Sequence, residues 1–139
     1  MRARASWLIV VPALVVLLAG VSKAQQAPDA EAVITGQLDA FSRNDAAAAF
    51  AVAAPAIKER FHDPDAFMAM VKSSYPPVYH HKSVQFGTQT RDGDQIGQTI
   101  VIVDNDNEVW GGVYTLELEG DGSWKISGCV LIKSAQSSL

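Results

Sequence analysis

The spacing of apolar residues changes period near Ser83, and that change restricts the chain to folds that place helices before a run of strands. Before it, Ile34, Leu38 and Phe41, with Val33 beside them, fall on one face of a helix. Residues 46–54 are mostly alanine, a strong helix former, until Pro55 breaks or restarts the segment. Ala56 to Phe61 can add one or two turns, with Ile57 and Phe61 four apart. Asp63-Pro64-Asp65 is the clearest helix start: an N-cap acceptor, a proline at the first helical position and an acid in the first turn. Phe67, Met70, Val71 and Ser74 then form an inward stripe, and Tyr75-Pro76-Pro77 is a stop.

From Ser83 onward the period is two. Val84, Phe86 and Thr88 alternate with polar residues, and Ile96, Gln98, Ile100 and Ile102 share a face opposite Val101 and Val103. Trp110, Gly112, Tyr114, Leu116 and Leu118 define a third strand face, and Trp124, Ile126, Gly128, Val130 and Ile132 a fourth. The short turns at 91–94, 104–107 and 120–123 pair these strands as an antiparallel meander. Gly87, Gly97, Gly111 and Gly112 inside the strand patterns predict bulges or bends. The expected fold is α+β: N-terminal helices packed on a curved four-stranded antiparallel sheet.

Residues 1–24 stand apart. Arg2 and Arg4 precede an apolar run from Trp7 to Leu18, and Ser22-Lys23-Ala24 puts small residues at positions −3 and −1 of a cleavage site. This is the layout of a secretory signal peptide, and the run is shorter than the roughly 20 apolar residues of a membrane span. Residues 25–139 then form a single domain, with an ordered core expected over about 30–132, in a periplasmic or secreted protein. Cleavage removes three of the 11 Lys and Arg and none of the 15 acids, taking the formal net charge from −4 to −7. Such an acidic chain lacks the cationic surplus needed to track phosphates, so no nucleic-acid partner is expected, and no membrane association after cleavage.

The string Gln37-Leu38-Asp39-Ala40-Phe41, then Asn44-Asp45, then Ala54-Pro55-Ala56-Ile57 resembles the opening of nuclear-transport-factor-two-like domains. A closer resemblance is to a group of secreted bacterial proteins carrying a domain of unknown function. It rests on Phe61, Phe67, Met70-Val71, Tyr75-Pro76, Val78-Tyr79, Gln98, Trp110, Tyr114 and the closing 121–129 string DGSWKISGC. The resemblance spans about residues 30–132. It implies a cone-shaped fold, often with an apolar cavity and often dimeric, and no single activity.

Several residue types invite chemistry. His62, His80 and His81 are the only histidines, but neighbours in an extended segment point to opposite sides, so no metal site and no cofactor are expected. Residues 79–82 read as a solvated loop. Asp104-Asn105-Asp106-Asn107-Glu108 begins like a calcium loop but has Val109 where glycine is required, so it reads as a polar hairpin turn. Cys129, the single cysteine, sits mid-strand and reads as buried and inert. Gln98 interrupts an apolar face and either bonds the backbone at a bulge beside Gly97 or orients a ligand.

The residues singled out for a pocket are Tyr75, Tyr79, Gln98, Trp110 and Tyr114, with no catalytic residue assigned. The leading expectation is a non-enzymatic domain that holds a small apolar ligand or a protein partner on the concave sheet face. The alternative is an isomerase-like or dehydratase-like enzyme with an acid–base site in the cavity. A homodimer through the outward sheet face is the third class.

Overall fold

The computed structural model of the chain describes residues 28–134, with side chains from Ala30 onward. The segment 1–24 read as a signal peptide lies outside the described residues, as does the tail beyond Ser134. Among the described residues five helices precede four strands: α1 (Pro28–Ser42), α2 (Ala46–Ala51), α3 (Pro55–Phe61), α4 (Pro64–Ser74), α5 (Pro76–Tyr79), β1 (His81–Asp92), β2 (Gln95–Asp104), β3 (Val109–Leu118) and β4 (Trp124–Lys133).

The helix ends follow local chemistry. Asp45 Oδ1 accepts from Ala48 N at 3.0 Å and starts α2; Asp63 Oδ1 accepts from Ala66 N at 2.9 Å and starts α4. Between α3 and α4 the chain must turn within two residues, and His62 does so in the left-handed region at φ 62°. His62 is therefore the cap of α3. The alanine run ends as a helix earlier than its propensity predicts, at Ala51. The reason is tertiary: Val52 O accepts from Ile126 N at 2.8 Å, and Ala54 N donates to Ile126 O at 2.7 Å. These bonds attach residues 52–54 to the edge of β4. Past the Tyr75-Pro76-Pro77 stop, the chain makes one further turn, α5, in which both prolines occupy initial positions that need no N–H donor.

The strands form one antiparallel sheet in the order β1-β2-β3-β4. Its inner face carries Ile96, Ile100 and Ile102 from β2, Tyr114 and Leu116 from β3, and Trp124 and Ile126 from β4, all buried. Against it pack Ile34, Leu38 and Phe41 of α1 and Phe67, Met68 and Val71 of α4. Phe67 sits amid three other rings, with centroids 5.5 Å from Phe50, 5.8 Å from Phe61 and 6.3 Å from Phe41.

Two register shifts correct the simple alternation. In β1 the shift between Phe86 and Gln89 breaks the Val84–Phe86–Thr88 pattern, leaving Thr88 exposed and turning Gln89 inward. In β4, Thr115 pairs with Gly128 but Leu116 pairs with Ile126, so Ser127 is the extra residue. The expected single face from Trp124 to Ile132 is thus divided. Trp124 and Ile126 point inward, whereas Val130 and Ile132 are 63% and 69% exposed on the outer face. Residues 79–82 are also more ordered than a solvated loop. His81 opens β1, and its ring pins α5 through Nδ1 to Val78 O at 2.8 Å.

Candidate functional site

The helices do not close completely onto the sheet. A cavity of about 550 Å³ lies between α1, α3, α4, α5 and the inner face of β3 and β4, within the size range of small-molecule sites. The α3 contribution follows from helical spacing: Arg60 and Phe61 each stand four residues after Ala56 and Ile57, so the two pairs stack on one side of the helix and all four reach the cavity. Lys58 projects elsewhere, donating to Ala51 O at 3.1 Å. Phe67, Met70, Val71 and Ser74 of α4, the stripe legible in the sequence, supply a second wall. Tyr114, Ile126 and Cys129 form the sheet side, with Ser127 and Gly128 at the bulge.

Burial orders these residues by depth. Gln37, Phe41, Val71 and Tyr114 are buried and make the floor; Ala56, Arg60 and Ser74 are exposed and make the rim. Gln37, Tyr114 and Cys129 are polar side chains that line the cavity beside its apolar walls. Gln37 Nε2 donates to Ala49 O at 3.2 Å, which fixes the amide in place. Tyr114 and Cys129 are cross-strand partners. Burial, then the neighbouring Cys129 and Tyr75, push the Tyr114 phenol well above its usual value, so it is a neutral hydrogen-bond donor. Burial also pushes the Cys129 thiol up to about 12, only partly offset by the neighbouring Tyr114 hydroxyl. Cys129 is therefore half-buried and faces the cavity, yet stays protonated at neutral pH.

Of the five residues singled out from sequence, the fold brings Tyr75 and Tyr114 to this cavity and not the other three. Gln98 is fully buried at the β1 bulge. It donates to Gly87 O at 3.0 Å and Thr99 O at 3.1 Å, and accepts from Gln89 Nε2 at 2.9 Å. These bonds satisfy the backbone that the bulge leaves unpaired. Trp110 donates its indole N–H to Asp104 Oδ2 at 2.9 Å. Tyr79 donates its hydroxyl to Asn44 Oδ1 at 2.9 Å and stacks edge-on with His80. The residues missed from sequence are Gln37, Arg60, Phe61 and Cys129. The α3 spacing was readable, but which side of so short a helix meets a cavity depends on where α4 sits.

The Asp104–Glu108 turn uses its own acid. Asp104 Oδ1 accepts from the amides of Asp106 and Glu108, both at 2.9 Å, which closes the hairpin. Among the described residues no three His, Cys, Asp or Glu side chains converge as metal ligands.

Comparison with known proteins gives a family and no activity. No curated protein is similar enough to the chain to register as a relative. Among solved structures, the chain is similar to an NTF-2 like protein of unknown function from Silicibacter pomeroyi DSS-3, at 18% identity and a TM-score of 0.49, over 76% of this chain and 93% of that one. A family model described as a domain of unknown function, DUF4864, matches residues 23–139. With all of the described helices and strands inside that match, the chain belongs to the DUF4864 family.

Proposed function

We propose that the protein is an exported, non-enzymatic binding domain that holds a small apolar ligand between its helices and the inner face of its sheet. The observation that carries this reading is the aromatic cavity itself, about 550 Å³ in volume and walled by Phe41, Phe61, Phe67, Tyr75 and Tyr114. The chemistry of its walls favours binding over catalysis. No carboxylate or imidazole lines it among the described residues, and the phenol of Tyr114 and the thiol of Cys129 are both shifted toward the protonated form. A general base working near neutral pH has no counterpart there. Export rests on the basic, apolar and small-residue order of residues 1–24.

The test is a thermal-shift panel of small apolar and aromatic compounds, run on the wild type and on Ala56→Trp, which places a large side chain at the exposed rim. Hits that raise the melting temperature of the wild type but not of the variant support the reading. A panel without a hit, or hits that ignore the variant, overturn it.

Self-association through the outer sheet face is a second, compatible reading. Val101 and Val113 are 43% and 39% exposed and lie on the same face as Val130 and Ile132. Sedimentation equilibrium would detect a dimer that Ile132→Lys dissociates; a wild-type monomer at high concentration removes this reading.

A further inference from the structure

Among the described residues, Arg60 is the only charged side chain on the cavity wall. It reaches the wall because it lies three residues after Ile57 on α3, and it is exposed, so the charge stands at the mouth rather than inside. Its guanidinium carbon is 5.6 Å from the centre of the Phe61 ring, a cation–π contact that holds the head group over the aromatic lip of the cavity. The salt bridges among the described residues are Arg43–Asp45 and Lys133–Glu108, and neither involves Arg60. Among the described residues, then, a planar donor without an ionic partner sits over an apolar cavity that holds no acid.

From this juxtaposition we infer that the cavity selects an apolar, aromatic or aliphatic carboxylic acid, bound as its anion, with the hydrophobic body among Phe41, Phe61, Phe67 and Met70 and the carboxylate against Arg60. The inference rests on the cavity-binding reading and adds the ligand's head group to it. The body gains from leaving water. The fork of the guanidinium matches two carboxylate oxygens, and the ligand itself shields the pair from solvent. Because Arg60 is exposed, the ion pair gives a preference of modest size rather than the bulk of the affinity.

Titration calorimetry with 4-phenylbutyrate and its neutral amide, 4-phenylbutanamide, separates the two layers of the argument. The wild type should bind the carboxylate about fivefold more tightly than the amide at low salt, the scale of an exposed ion pair. That ratio should fall toward one in 1 M NaCl. Arg60→Met keeps an apolar stem over Phe61 and should bring the carboxylate down to the affinity of the amide. Equal binding of both probes by the wild type, or a preference that survives in Arg60→Met, overturns the carboxylate inference and leaves the cavity reading standing. Binding of neither probe at millimolar concentration, or binding that persists in Ala56→Trp, overturns both.

Discussion

The indole N–H of Trp110 donates to Asp104 Oδ2 at 2.9 Å, across the hairpin that joins β2 to β3. The same carboxylate accepts the Asp106 and Glu108 amides. One acid thus organises a turn and fixes an aromatic side chain at the end of the sheet. Desolvation opposes its ionisation, but the bonds from Trp110, Glu108 and Asp106, with Lys133 nearby, outweigh it and hold the carboxyl below its usual value.

A folded-state pKa below the unfolded value means that ionised Asp104 stabilises the fold. That contribution is fully present above the unfolded pKa, about 3.9, and is lost as pH falls through the lower folded value. Asp104→Asn should therefore lower the urea midpoint by a constant amount from pH 5 to 7, and the gap to wild type should close below about pH 4. A gap unchanged at pH 2.5 would show that the carboxylate's charge is not what holds the turn.

Gln98 fills three hydrogen-bonding roles at the β1 bulge. Replacing it by leucine keeps much of the volume but strands the Gly87 carbonyl and the Gln89 amide. The expected loss is about 1–3 kcal/mol of unfolding free energy. Ligand affinity should be unaltered, since Gln98 does not line the cavity. Loss of binding in a folded Gln98→Leu protein would contradict this placement.

Cys129 carries a thiol pushed up to about 12. Compared with an ordinary thiol near 8.5, its thiolate fraction at pH 7.5 is roughly three thousandfold smaller. Iodoacetamide should modify the native protein very slowly and the urea-unfolded protein at the normal rate. Prompt alkylation of the folded protein is the outcome that would refute the assigned environment.

Gly112 faces the interior where strands approach closely. A Cβ there would lie 2.9 Å from both Val130 O and Leu131 Cδ2, and 3.3 Å from Ile100 Cγ1. Gly112→Ala should cost about 1–3 kcal/mol through overpacking, because one of the obstructing atoms is backbone. Phe67→Ala, which empties the centre of the four-ring cluster, should cost about 3–5 kcal/mol. Val130→Thr, on the exposed face, should stay within about 0.5 kcal/mol. Denaturant titrations of the three variants check that ranking.

Much of the architecture was legible in the sequence because it is set by local chemistry. The Asp63 cap and Pro64 define where α4 begins, whatever packs on it. The period of two along β2 and β3 identifies the buried faces, since a strand paired without a bulge must alternate. Tyr114 reaches the cavity from the strand face its alternation predicts, and Tyr75 reaches it from the end of α4. Trp110 and Tyr79 are aromatic too, but each has a partner across a turn or a helix pair, Asp104 and Asn44, that periodicity cannot reveal.

The second half of β4 was decided only in three dimensions. Ile126 is bonded on one side to the 52–54 segment and on the other pairs with Leu116, and the register then slips by one residue at Ser127. That slip turns Cys129 toward the cavity and Val130 and Ile132 toward the outside. Local sequence determined that this stretch is a strand; the pairing of two edges on either side of Ile126 determined which of its side chains could meet a ligand, because alternation carries no memory of an inserted residue.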